Sequence, residues 1–227
     1  MTKLDDVKQI EKPQVYFTAG VIALFVGFVL CTLAFVGLSN EVREMDTLPF
    51  DTAVLNLVHG MSNYFLDTFM PIATDIGGVV GVVAITLIMT ALFVYKNEQR
   101  RALMVSITVA GAAGINLILK SVFERARPDL WETLVREPGF SFPSGHAMAS
   151  AALGAAIVVA LWDSRWRWWA FTAATFYVVF VGFSRLYLGV HYPTDILAGW
   201  LVSGGWVMAV TLMFRSRLGN RVLRKLP

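Results

Sequence analysis

Six apolar runs, each roughly 20 residues long, alternate with shorter polar stretches at 14–38, 71–95, 102–123, 145–162, 168–188 and 194–214. A helix of that length crosses about 30 Å of hydrocarbon. The pattern therefore predicts an all-α, polytopic membrane protein: a six-transmembrane-helix bundle forming one membrane-embedded domain over residues 1–227, with 1–13 as a cytoplasmic lead and 215–227 as a cytoplasmic basic tail. Between the first two runs the periodicity changes. Residues 40–51 are acidic and read as exposed, and Val54, Leu57, Val58, Met61 and Phe65 then recur at helical spacing among polar residues. This predicts a short amphipathic helix within 51–70, either lying on the outer membrane face or packed over the outer end of the bundle. His59 reads there as an interfacial histidine.

Composition agrees with the pattern. Of 227 residues, 56% are hydrophobic and 15% charged, and the mean hydropathy is +0.62, outside the usual balance of a soluble domain. The first run is too long for the apolar core of a signal peptide, and no small-residue cleavage site follows it before Asn40, so the first helix is expected to stay. Cys31 is the single cysteine, which excludes an internal disulfide framework.

Charge placement sets the orientation. Of the 19 Lys and Arg, 13 fall in the N-terminus, the loop 96–101, the loop 165–167 and the tail from Arg215 onward. Six alternating helices put all of these on one side, which is then cytoplasmic, with both termini. The basic balance is a topology signal and no nucleic-acid footprint. Trp162, Trp166, Trp168 and Trp169 around Arg165 and Arg167 read as an interface anchor. Gly77, Gly78 and Gly81 in the second run, and residues 110–114 in the third, are small enough for these two helices to pack face to face. Asp75 reads as a polar contact at a helix end.

With that orientation, three polar clusters share the opposite side. Lys120 is followed seven residues on by Arg127-Pro128; Pro143-Ser144-Gly145-His146 opens the fourth run; Ser184-Arg185 closes the fifth, with His191 and then Asp195 at the start of the sixth. Charges at a membrane edge are costly and point to function. Lys120, Arg127 and Arg185 at one depth repel each other unless an anion lies among them, and guanidinium forks match phosphate oxygens. Ser144 is a candidate helix cap, and the free amides beyond it favour an anion. Asp195, four residues after His191, can hold one ring nitrogen and present the other as a neutral nucleophile; His146 can protonate the leaving oxygen and later activate water. Clustered carboxylate or histidine ligands of the kind a two-metal phosphatase needs are absent, so no metal or other cofactor is expected. Each residue alone fits an ordinary structural role; order, side and spacing together favour the chemistry.

These residues match the three-part signature KxxxxxxRP, PSGH, SRxxxxxHxxxD, and the chain from about 51 to 214 resembles the type 2 phosphatidic acid phosphatase family, whose site is shared with the soluble vanadium haloperoxidases. The resemblance implies that Lys120, Arg127, Ser144, Gly145 and Arg185 hold the phosphate, that His191 forms a phosphohistidine, that Asp195 orients it, and that His146 is the acid and base. It implies an inner-membrane enzyme with its site facing the periplasm or exterior, acting on a lipid phosphate in the bilayer: undecaprenyl diphosphate, phosphatidylglycerol phosphate, phosphatidic acid or a lipid A phosphate. A lipid-linked phosphotransferase using the same site, or a non-catalytic lipid-binding protein, are the competing classes. Arg125 and Arg136 read either as a second phosphate site, which would favour a diphosphate, or as solvated loop charges. Trp131, Phe140 and Phe142 read either as a flap over the substrate or as interface anchors.

Overall fold

A computed structural model describes residues 12–216; most of the lead 1–13 and of the tail 215–227 lies outside the described residues. Among these the chain is helical, with no strand. The helices are α1 (Lys12–Arg43), α2 (Leu48–His59), α3 (Tyr64–Thr74), α4 (Val79–Tyr95), α5 (Gln99–Phe123), α6 (Gly145–Leu161), α7 (Arg167–Tyr187) and α8 (Pro193–Arg215).

Among the described residues, four helices are long and apolar enough to cross a membrane: Ala19–Arg43, Gln99–Phe123, Arg167–Tyr187 and Pro193–Arg215. A fifth candidate span is a pair, Tyr64–Gly77 and Val79–Tyr95, bent by 45°. α6 has 17 residues, about 25 Å at 1.5 Å per residue. Ile22, Phe25, Leu30, Leu33 and Val36 on α1 and Val79, Val80, Leu87 and Ile88 on α4 are exposed, as expected for surfaces that face lipid. The protein is thus a multi-pass membrane protein. Arg165 and Arg167 lie over the rings of Trp166 and Trp168 at the α6–α7 turn.

The bend has a local cause. Pro71 lies inside α3, where it removes a backbone donor; it does not begin a span as expected. A 3₁₀ turn, Asp75–Gly77, follows, and Gly78 is extended at φ −76°, ψ 178° before α4 restarts. The expected single helix within 51–70 is likewise two. α2 ends at Gly60, and Asn63 caps α3 by accepting from the Leu66 N–H at 3.1 Å. Leu55 and Val58 are buried while Leu57, Met61 and Phe65 are exposed, so the segment packs on the bundle through one side and keeps an apolar side outward.

α6 is the centre of the bundle, packed by α4, α5, α7 and α8, and α1 lies along α8. One apolar core joins Val82 and Phe93 of α4, Val105 and Val109 of α5, Leu153 and Ala156 of α6, and Val210 and Phe214 of α8. The glycines of the second and third apolar runs do not face each other as expected. A Cβ at Gly77 would lie 2.3 Å from Val181 on α7, and one at Gly111 would lie 2.2 Å from the Trp206 ring on α8. Both approaches are possible only without a side chain. The Trp206 indole N–H donates to the Thr108 carbonyl at 2.9 Å, so the ring has a fixed place. Gly111→Ala should therefore cost about 1–3 kcal/mol through overpacking, read as a lower Tm in detergent. Gly114→Ala, where a Cβ would meet nothing within 4 Å, should not lower it.

Candidate functional site

α5, α6, α7 and α8 bring their polar ends together at one end of the bundle. α5 stops where Glu124 takes a left-handed conformation at φ 47°, and the loop 124–144 folds back over the helix ends. Ser141 pins this loop: its N–H donates to the Arg125 carbonyl at 2.8 Å and its hydroxyl to the Ala126 carbonyl at 3.0 Å. Lys120 Nζ donates to the Phe140 carbonyl at 2.7 Å. Phe142 is fully buried against Phe35 and Phe123, so it is a core residue and neither a flap nor an anchor. Trp131 stacks on His59 at 4.0 Å between ring centroids and covers the turn at Gly189.

The start of α6 is held from two sides. The Ser144 N–H donates to the Asp195 carbonyl at 3.0 Å, and its side chain accepts from the Ala147 N–H at 3.4 Å. Asn116 of α5 donates to the Pro143 carbonyl at 3.1 Å, and a Cβ at Gly145 would meet its Oδ1 at 3.1 Å. The amides of this first turn carry the positive end of the helix dipole. His146 makes no hydrogen bond to protein among the described residues, and Gly78 lets the bend of α3–α4 come against it: a Cβ there would lie 3.2 Å from His146 Nε2.

At the end of α7, Ser184 and Arg185 are fully buried. Arg185 Nη1 donates to Thr74 Oγ1 at 3.0 Å and Nη2 to Glu137 Oε1 at 2.5 Å, while its buried Nε has no partner. Gly189, at φ 68°, turns the chain so that His191 lies beneath the loop 124–144. Arg127 is tied down by carbonyls: Nε donates to Gly139 at 3.1 Å, Nη1 to Val190 at 2.8 Å and Nη2 to Pro138 at 3.2 Å.

His191 lies between a carboxylate and this guanidinium. Its Nδ1 is 3.3 Å from Asp195 Oδ2, and its Nε2 is 3.2 Å from Arg127 Nη1. A proton on Nδ1 satisfies Asp195 and leaves the Nε2 lone pair facing Arg127. Burial, then the positive charges of Arg185, Arg127 and Lys120, push the His191 pKa well below its ordinary value, so the ring is neutral. His146 is close enough for its charge to be felt there too.

Asp195 is doubly engaged. Oδ2 also accepts from the Tyr192 N–H at 2.9 Å, and Oδ1 pairs with Arg125 Nη1 at 2.6 Å. Arg125 reaches on to Thr194 Oγ1 at 2.8 Å and to Asp51 Oδ2 at 2.7 Å, and lies over the Tyr192 ring. Asp51 in turn accepts from the Thr194 N–H at 3.1 Å and the Thr194 hydroxyl at 2.7 Å. Both expected readings of Arg125 are thus corrected: it is neither solvated nor free for a second phosphate. Asp51, expected in an exposed acidic segment, is fully buried. Arg136 is exposed.

All eight residues singled out from the sequence, Lys120, Arg127, Ser144, Gly145, His146, Arg185, His191 and Asp195, lie at this end of the bundle. Asp51, Thr74, Thr194 and Glu137 were not anticipated. Glu137 lies among the cations, with Oε2 3.7 Å from Arg127 Nη2 besides its bond to Arg185. Burial would raise its pKa, but Arg185, His146 and Arg127 outweigh burial and hold the carboxyl below its ordinary value. A neutral imidazole whose lone pair faces Arg127, a second imidazole free of protein hydrogen bonds, three cations and a helix N-terminus together suit transfer of a group whose equatorial oxygens carry negative charge.

Comparison with known proteins points the same way. A family model described as the PAP2 superfamily matches residues 100–218. The chain is similar to phosphatidylglycerophosphatase B of Bacillus subtilis (strain 168), 30% identical over 183 residues that cover 78% of this chain and 86% of that protein. It is also similar to the undecaprenyl-diphosphatase BcrC of the same organism, 29% identical over 158 residues, covering 66% of this chain and 77% of that one. The crystal structure of a transmembrane PAP2 type phosphatidylglycerolphosphate phosphatase from Bacillus subtilis superposes with a TM-score of 0.75 at 25% identity, covering 88% of this chain and 98% of its own.

Proposed function

We propose, since this chain belongs to the PAP2 superfamily, that it is an integral membrane lipid phosphatase that cleaves a phosphate monoester or diphosphate of a lipid through a phosphohistidine. The observation that supports this best is the neutral His191 ring held between Asp195 and Arg127. Lys120, Arg127 and Arg185, with the Ser144 hydroxyl and the Gly145 amide, bind the phosphoryl oxygens. The His191 Nε2 lone pair forms the N–P bond while the P–O bond to the lipid breaks; the leaving oxygen keeps the electron pair and takes a proton from His146. Asp195 compensates the charge that the imidazole gains. Water then attacks phosphorus, His146 takes its proton, the N–P bond breaks, and inorganic phosphate leaves.

The same reading places six spans in the bilayer, the bent α3–α4 pair and the short α6 each counting as one. The loops 96–101 and 165–167 and both termini are then cytoplasmic, and the site opens to the periplasm or exterior, beside the headgroups of the outer leaflet. The substrate class takes in phosphatidylglycerol phosphate, phosphatidic acid, undecaprenyl diphosphate and a lipid A phosphate. With Arg125 committed to Asp51 and Asp195, the sequence-based leaning towards a diphosphate loses its main support. Purified protein in detergent should release inorganic phosphate from members of a lipid monophosphate and diphosphate panel, undiminished by EDTA. A requirement for added metal, or no release from any member, would overturn the reading.

A further inference from the structure

We propose that Glu137 is an internal competitor of the substrate: its carboxylate takes up the guanidinium donors of Arg185 and Arg127 that a phosphoryl group needs, and so sets how tightly phosphate and phosphate esters bind. This rests on the reading of the site as a phosphate cradle.

Two features of the geometry carry it. One oxygen of Glu137 pairs with Arg185 at 2.5 Å and the other approaches Arg127 at 3.7 Å, so one carboxylate spans the two guanidiniums much as two oxygens of a phosphate would. The second feature is that each arginine has a further partner besides Glu137. Arg185 is also bonded to Thr74, and Arg127 to the carbonyls of Pro138, Gly139 and Val190. Arg127 is thus held without the carboxylate, and Arg185 keeps one tie to α3 when the carboxylate leaves. Glu137 is also placed to leave. Its side chain is 27% exposed, against 0% for Arg185, and it belongs to the loop 124–144. Exchange of this carboxylate for a phosphoryl group keeps both guanidiniums paired throughout, which avoids the cost of a buried unpaired charge.

The expected effect is the recovery of about one charge-assisted hydrogen bond, roughly tenfold to a hundredfold in affinity. In Glu137→Gln, the inhibition constant for inorganic phosphate should fall by that factor, and in Glu137→Asp, which keeps the charge, it should stay within about threefold of wild type. Calorimetric titration of the full chain in detergent with inorganic phosphate gives the same comparison without turnover, so absence of lipid hydrolysis is distinguished from failure of this inference. Thermal unfolding of each variant shows that folded protein is being compared. Phosphate binding that is unchanged or weaker in folded Glu137→Gln would overturn the proposal and make Glu137 a support for Arg185.

Discussion

His191→Ala should abolish phosphate release from any lipid substrate, by at least about four orders of magnitude, and labelled phosphate from the substrate should no longer become attached to the protein. The substitution is a clean one because of how its neighbours are bonded. Asp195 keeps Arg125 and the Tyr192 N–H after the imidazole is gone, and Arg127 keeps its three carbonyls. Folding should therefore survive, with a modest loss of Tm from the cavity left at a fully buried position. The pH dependence has a definite sign. Burial first, then the surrounding cations, favours the neutral ring, whereas the unfolded chain takes up a proton near pH 6.5. Below that pH the unfolded state binds the extra proton, so this residue's linkage weakens the fold as pH falls. His191→Ala should remove that part of the acid sensitivity, measured as Tm against pH. An alanine variant that retains turnover, or a labelled intermediate that forms without His191, would exclude the covalent step.

Much of this was legible in the chain itself, and what was not has a physical reason in each case. Hydrophobic runs in lipid-facing helices are long and one-sided choices are few, so the helices and the polar ends they bring together could be read directly. The bend at 71–78 was hidden because Pro71 reads as a helix start when it lies at the edge of an apolar run. Gly77 and Gly111 reveal that something approaches closely, and nothing in their spacing says whether it is the neighbouring helix, Val181 or Trp206. Asp51 was lost in an acidic run, although a signal was present. It shares a helix face with Leu55 and Val58 by i, i+4 and i+7 spacing, and an acid on a packing face needs a buried partner. Glu137 carried no such mark, since its meaning depends on a loop of irregular backbone folding over Arg185.

That buried partner is Arg125, and replacing it should be the most damaging change outside the phosphate cradle. Arg125 is the shared counter-ion of Asp51 and Asp195, both fully buried. Arg125→Met keeps most of the volume and removes the charge, which leaves two carboxylates facing each other across Thr194. Breaking a buried pair on one side costs about 3–5 kcal/mol, so a large drop in Tm is expected. Adding Asp51→Asn should recover part of it, because the double variant leaves one fewer buried charge. Function should change in the same direction for a separate reason. With Arg125 present, the charge of Asp195 is already balanced and His191 has no need to become an imidazolium. Without it, Asp195 loses its paired guanidinium and draws harder on a proton at His191, and a protonated ring has no lone pair to attack phosphorus. The folded fraction of Arg125→Met should therefore show an acid limb of kcat/KM moved to higher pH, while Asp51→Asn alone, which leaves the Asp195 pair intact, should keep the wild-type profile. A variant with unchanged Tm and an unchanged profile would show that the Asp51–Arg125–Asp195 chain neither holds α2 to α8 nor controls the ionisation of the nucleophile.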